Sequence, residues 1–241
     1  MKCFLLLVAV IISTAWADTR LPELARRQIG VTVEYDSAYV RLAYPGGDVS
    51  AERGVCTDVV IRALRLLDFD LQKVVHEDMK RNFAAYPKHW ELKRPDKNID
   101  HRRVPNLQTF FKRRGWGLPV TENPADYKPG DLVTCLVGGS LPHIMIVSDR
   151  KSEDGTPLVI HNIGAGTEEE DSLFLFPLTG HYRPRLSGGG RYSVSGGAGK
   201  GAQKLSFRRR LYGFCIDLCL QYWYKICTAL CYRNIFQPLF S

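Results

Sequence analysis

Arg53-Gly54-Val55-Cys56-Thr57-Asp58-Val59-Val60 is the stretch from which the rest of the chain can be read. A glycine-led turn delivers one cysteine to the start of an amphipathic segment. The apolar positions Val59, Val60, Ala63 and Leu67 then recur at steps of three and four, the spacing of a single helix face. Cys56 is therefore expected at a helix N-terminus, where unpaired backbone amides and the positive end of the helix dipole favour an anion. A thiol so placed can fall from its usual ~8.5 into the range ~3.5 to 7.5 and stand largely as the nucleophilic thiolate. The rival role is a packed, inert cysteine, since free Cys is among the most buried residue types.

Around Cys56 the chain reads as helices first, up to about residue 115, and strands after. Leu21 to Ile29 reads as a short helix and Val31 to Val33 as a brief extended segment. The turn-rich, aromatic run from Tyr35 to Asp48 leads into Cys56 and is expected to wall any cleft the thiol opens into. Asp70 can cap a second helix with Leu71, Val74, Val75, Met79 and Phe83 on one face, closed by Pro87. A charged loop, Lys93 to Val104, precedes a third helix that Asn106 can cap. After the double turn signal of Pro124 and Pro129-Gly130-Asp131 the pattern becomes β-like in Leu132–Val137, Ile144–Ser148, Leu158–Ile163 and Leu173–Phe176. Helices followed by an antiparallel meander predict an α+β domain.

The ends differ from this body. Met1-Lys2, the apolar run from Cys3 to Ile12 and Ala15-Trp16-Ala17 have the form of a secretory leader, so residues 1–17 are expected to be removed and the protein to be secreted or periplasmic. Residues 18–184 form the expected domain, residues 185–210 a Gly/Ser-rich and basic linker, and residues 211–241 an apolar, cysteine-bearing tail. The net charge of +8 is confined to that end: residues 184–241 hold nine basic residues and one acidic, while residues 18–183 hold 23 basic and 24 acidic. Nucleic acid is accordingly not expected as a partner, and the tail suits peripheral contact with an anionic membrane surface. Within the domain only Cys56 and Cys135 occur, so a Cys56–Cys135 disulfide competes with a catalytic role for Cys56.

Thiol catalysis needs a base and gains from a third polar group that fixes the base's tautomer. His143 opens the run Ile144 to Val147, and His161 with Asn162 lies on the return strand beyond the Asp154-Gly155 turn, within reach of His143. Zinc held by Cys56, His143 and His161 is the rival use of these residues, but no Cys-x-x-Cys or His-Glu-x-x-His spacing supports it, and neither a metal nor a cofactor is expected. Arg102 and Arg103 offer paired donors for a carboxylate. Tyr35, Asp58, Arg102, Arg103 and Asn162 are the expected substrate contacts.

Tyr-Pro-Gly-Gly-Asp at 44–48, Gly-Val-Cys-Thr-Asp at 54–58, Asn-Ile-Asp-His-Arg-Arg-Val-Pro-Asn-Leu at 98–107, Pro-Gly-Asp-Leu-Val at 129–133, Pro-His-Ile at 142–144 and His-Asn-Ile-Gly-Ala-Gly at 161–166 together resemble the bacterial domain-of-unknown-function family 1287. That family in turn looks like a branch of the NlpC-type, papain-like cysteine peptidases and amidases of the cell wall. The resemblance spans roughly residues 20 to 183. It implies a papain-like α+β fold with Cys56 as nucleophile, His143 as base and His161 as the third polar residue. It also implies the reaction class, amide hydrolysis; an exported hydrolase cutting peptidoglycan stem peptides or cross-links is the leading expectation. A non-catalytic wall-binding protein and a thiol acyltransferase are the alternatives.

Overall fold

A computed structural model describes residues 18–186; the expected leader, the rest of the linker and the tail lie outside the described residues. Leu21–Arg26 forms α1, with Pro22 in its first turn, where a missing N–H costs nothing. It is shorter than the pattern predicts, and turns continue to Val31. Strand pairing begins at Glu34–Tyr35 (β1), beyond the expected Val31–Val33, and runs parallel to Arg53–Gly54 (β2). This small ribbon ties the aromatic loop to the turn that delivers Cys56.

Cys56–Arg65 is α2; Val59, Val60 and Ala63 of the predicted stripe are fully buried, while Leu67, its last member, lies past the helix end and is only partly buried against the core. Its first turn is closed from within: Asp58 reaches back to accept the Val55 N–H at 2.7 Å, one half of a capping box. Leu71–Asn82 (α3) starts as expected, the Asp70 side chain accepting from the Gln72 amide at 3.2 Å. Val104–Arg113 (α4) starts two residues before the predicted cap, because Pro105 presets the helical φ of its first turn. Asn106 therefore lies inside the helix, donating to the Asp100 carbonyl at 3.1 Å.

Gly117–Leu118 (β3), Leu132–Val137 (β4), Leu141–Lys151 (β5), Pro157–Asn162 (β6), Thr167–Glu170 (β7) and Leu178–Tyr182 (β8) form one antiparallel sheet in the order β3-β8-β4-β5-β6-β7. The α+β expectation and the meander from β4 to β6 are thus present. The expected strand at Leu173–Phe176 is instead a turn: Leu173 is buried and Phe174 and Phe176 pack beside it against the sheet. The chain then returns as β8 beside β4.

Alternation along the strands sorts the sheet into two buried faces. Leu132, Ile144, Ile146, Ile160 and Tyr182 join α2, α4 and Trp116 in the larger core, which includes Cys56. Val133, Cys135, Met145, Val147 and Val159 face Tyr127 and Leu173 on the other side. Each such aliphatic side chain contributes roughly 1.5–3 kcal/mol, so a register slip that reverses the faces is strongly disfavoured. The β5/β6 pairs Ile146↔Ile160 and Val147↔Val159 put His143 diagonally across from His161 on the second face. Among the described residues no helix is long and apolar enough to cross a membrane.

Candidate functional site

The Cys56 side chain is 4 % exposed at the start of α2. Its sulfur lies against the backbone amides of Ile144, Thr57 and Cys56 itself, each of which favours the thiolate. Burial outweighs all three and pushes the thiol up to about 12. The sequence expectation of a lowered thiol is therefore corrected: the helix terminus is present, but it is sealed from water, and desolvation penalises the charged form more than the amides stabilise it. Cys56 and Cys135 are both free thiols, so the competing disulfide is absent. Cys135 is raised to about 12 by burial and then by the nearby Cys56.

His143 and His161 meet as expected, the Nε2 of His143 lying 3.0 Å from the Nδ1 of His161. The rings stand edge to face, and both are almost wholly buried. Burial first, and His161 second, push His143 down to about 3, so its ring is neutral at pH 7. The far nitrogen of His161 lies 3.1 Å from Ser172 Oγ and 3.3 Å from Glu170 Oε2. Neither ring hydrogen-bonds the Cys56 sulfur. The thiol instead reaches the same point of β5 from the helix side, at the amide of Ile144, one residue past His143. Cys56 and His143 are therefore both uncharged at pH 7 and share no hydrogen bond with each other. Among the described residues no group of three or more His, Cys, Asp or Glu side chains is arranged to hold a metal ion.

A cleft of about 220 Å³ opens beside the thiol, lined by Cys56 with Tyr35, Trp90, Arg103, Val104 and Pro142, among others. Tyr35 is on its wall as expected. Arg103 lies with its guanidinium 4.0 Å over the Trp90 ring and its Nη1 3.2 Å from Asp100 Oδ1. Arg102 also borders the cleft, but its donors are spent inside the protein: on both oxygens of Asp58 and on the carbonyls of Asp36 and Ala38. The expected substrate contact at Asp58 is corrected too, since its carboxylate is consumed by Arg102 and the Val55 amide. So is that at Asn162, fully buried and donating to Gly54 O at 3.0 Å, where it holds the turn before Cys56. Trp90 was not read from the sequence as a site residue; a tryptophan in the charged loop His89-Trp90-Glu91-Leu92-Lys93 was the available signal. Glu170 and Ser172 were missed because Glu168-Glu169-Glu170 looks like a solvated turn.

The fold and this site define a class: an α+β protein whose helix-borne cysteine meets an antiparallel sheet at the Ile144 amide, with a pair of hydrogen-bonded histidines on the adjoining strands. Residues 23–184 match the family described as Domain of unknown function (DUF1287), and the chain belongs to that family. It is similar to the uncharacterized protein YijF of Escherichia coli (strain K12), with 63% identity over 159 residues, covering 66% of this chain and 78% of that protein. No solved structure matches.

Proposed function

We propose that the protein is an exported cysteine hydrolase of NlpC-type, papain-like fold that cleaves amide bonds in peptidoglycan stem peptides or cross-links. One observation carries this reading: the Cys56 sulfur borders an open cleft and lies against the Ile144 amide, the strand position next to His143, whose ring is hydrogen-bonded to His161. The leader-like N-terminus supports an extracytoplasmic site of action.

The neutral resting pair sets the order of events. Cys56 attacks the substrate carbonyl as its proton passes to the imidazole of His143; the two share no hydrogen bond at rest, so this step requires them to be brought together when substrate fills the cleft. The Cys56 N–H, at a helix position with no intrahelical carbonyl partner, faces the developing oxyanion, and one such donor contributes ~2.7 to 4 kcal/mol. The imidazolium then protonates the leaving amine, and the neutral ring activates the water that releases the acyl group.

Digestion of purified sacculi tests the reading. Wild type should release new amino termini and Cys56→Ala should release none while keeping its circular dichroism; equal release by both ends the proposal. The high thiol pKa and the missing sulfur–imidazole hydrogen bond favour a second reading, a non-catalytic wall-binding protein. Sacculus binding by both wild type and Cys56→Ala, with no cleavage by either, selects it.

A further inference from the structure

His161 has a hydrogen-bonding partner on each side. Its Nδ1 faces His143 Nε2 at 3.0 Å, while its Nε2 faces Ser172 Oγ at 3.1 Å and Glu170 Oε2 at 3.3 Å. Glu170 arrives on β7, paired with Val159 of β6, so its side chain shares the sheet face of His161. It is half-buried there, next to Glu168.

The proton positions follow from donor counting. An ionised carboxylate accepts only, and a neutral imidazole carries one N–H and one lone pair. With Glu170 ionised, the hydrogen of His161 belongs on Nε2. Its Nδ1 is then a lone pair and accepts from His143 Nε2–H. That leaves His143 with a bare Nδ1. We propose that Glu170 is a positioning residue that fixes the tautomers of both rings in series, so that the basic atom of His143 is Nδ1. Ser172, able to donate or accept, cannot impose this order by itself.

The groups facing His161 agree with the arrangement. Glu170 is held down to about 2, first by its hydrogen bond to His161, and it stays charged throughout the working pH range. Glu168 is pushed up, first by its hydrogen bond with Glu170, so of the two neighbouring carboxyls Glu170 is the more acidic. Ser172 is buried and uncharged. His143, the remaining titratable group in the chain of contacts, is neutral at pH 7.

The inference builds on the assignment of His143 as base, but its test does not depend on activity. Nitrogen-15 NMR of the histidine-labelled full chain at pH 7 should show His143 and His161 both protonated on Nε2. Glu170→Ala should give a mixture of tautomers at both rings, and Glu170→Gln, which keeps an acceptor oxygen, should restore most of the original population. Identical tautomers in wild type and Glu170→Ala would overturn the proposal, as would a wild-type His143 protonated on Nδ1. If sacculus cleavage is present, Glu170→Ala should also lower kcat by about tenfold or more at unchanged KM, by analogy with the lost outer partners of metal-bound histidines. Tautomers that follow Glu170 in a protein without hydrolase activity would uphold this inference while removing the hydrolase.

Discussion

The carboxylate of Asp58 receives both Nε and Nη2 of Arg102, at 3.0 and 2.8 Å, with the two side chains only 4% and 2% exposed. This pair joins the first turn of α2 to the loop ahead of α4, and the same carboxylate holds the Val55 amide. It fixes the backbone that carries Cys56. Removing one partner strands a buried charge, which typically costs 3–5 kcal/mol. Asp58→Asn should therefore lower the urea unfolding free energy by about that much. A loss below about 1 kcal/mol would mean that the pair is solvated and only a surface interaction.

The Cys56 thiol offers a check by alkylation. Burial pushes the thiol up from its ordinary value of 9.0 to about 12, so the native state keeps the proton that the unfolded state gives up. The associated stability is complete below pH 9.0 and fades as pH rises towards about 12. Iodoacetamide labelling of the substrate-free protein should be slow at pH 6 to 8, far slower than for the urea-unfolded chain, and should climb steeply in the alkaline range. Fast labelling at pH 6 would show a thiolate and restore the helix-terminus expectation.

Acid acts through different groups. His143 is lowered from 6.5 to about 3, first by burial and then by His161; His101 is lowered to about 4, first by burial and then by Arg102. Both lowered bases favour the folded state while neutral. Their contribution is complete above pH 6.5 and is lost as pH falls through 4 to 3. Below pH 6.5 stability should fall by about one kcal/mol per pH unit for each histidine that must stay neutral. His76 is lowered too, first by burial, so the slope, read from urea titrations between pH 6.5 and 5, should drop by about a third to a half in His101→Gln; an unchanged slope would rule out His101 as a contributor.

What the sequence made legible was local periodicity, and what it hid depended on packing. The Cys56 stripe, the Asp70 cap and the strands at Leu132 and Leu158 follow from 3.6- and 2-residue spacing, which neighbours only reinforce. Thr167–Glu170 carries no such signal: its three glutamates look solvated, yet Glu169 pairs with Arg26 and Glu170 with His161. Leu173–Phe176 has the apolar density of a strand but spends it covering the sheet as a turn. The two arginines at 102 and 103 are indistinguishable in sequence. Only the fold gives the first to Asp58 and the second to the cleft.

That division bears on substrate choice. Arg103 is stacked over Trp90 at 4.0 Å on the cleft wall, and its pKa is lowered, first by burial, which means that its charge is under-solvated there despite Asp100. An arriving carboxylate would relieve that cost through paired charge-assisted hydrogen bonds, which a neutral group cannot do. Arg103→Gln keeps a donor for Asp100 but removes the charge. Under the proposed hydrolysis, for stem peptides with a free carboxylate it should raise KM by about tenfold, equivalent to ~1.4 kcal/mol, with kcat little changed. For the same peptides capped as amides it should leave KM nearly untouched. An equal rise for both would show that Arg103 shapes the Trp90 wall and reads no charge.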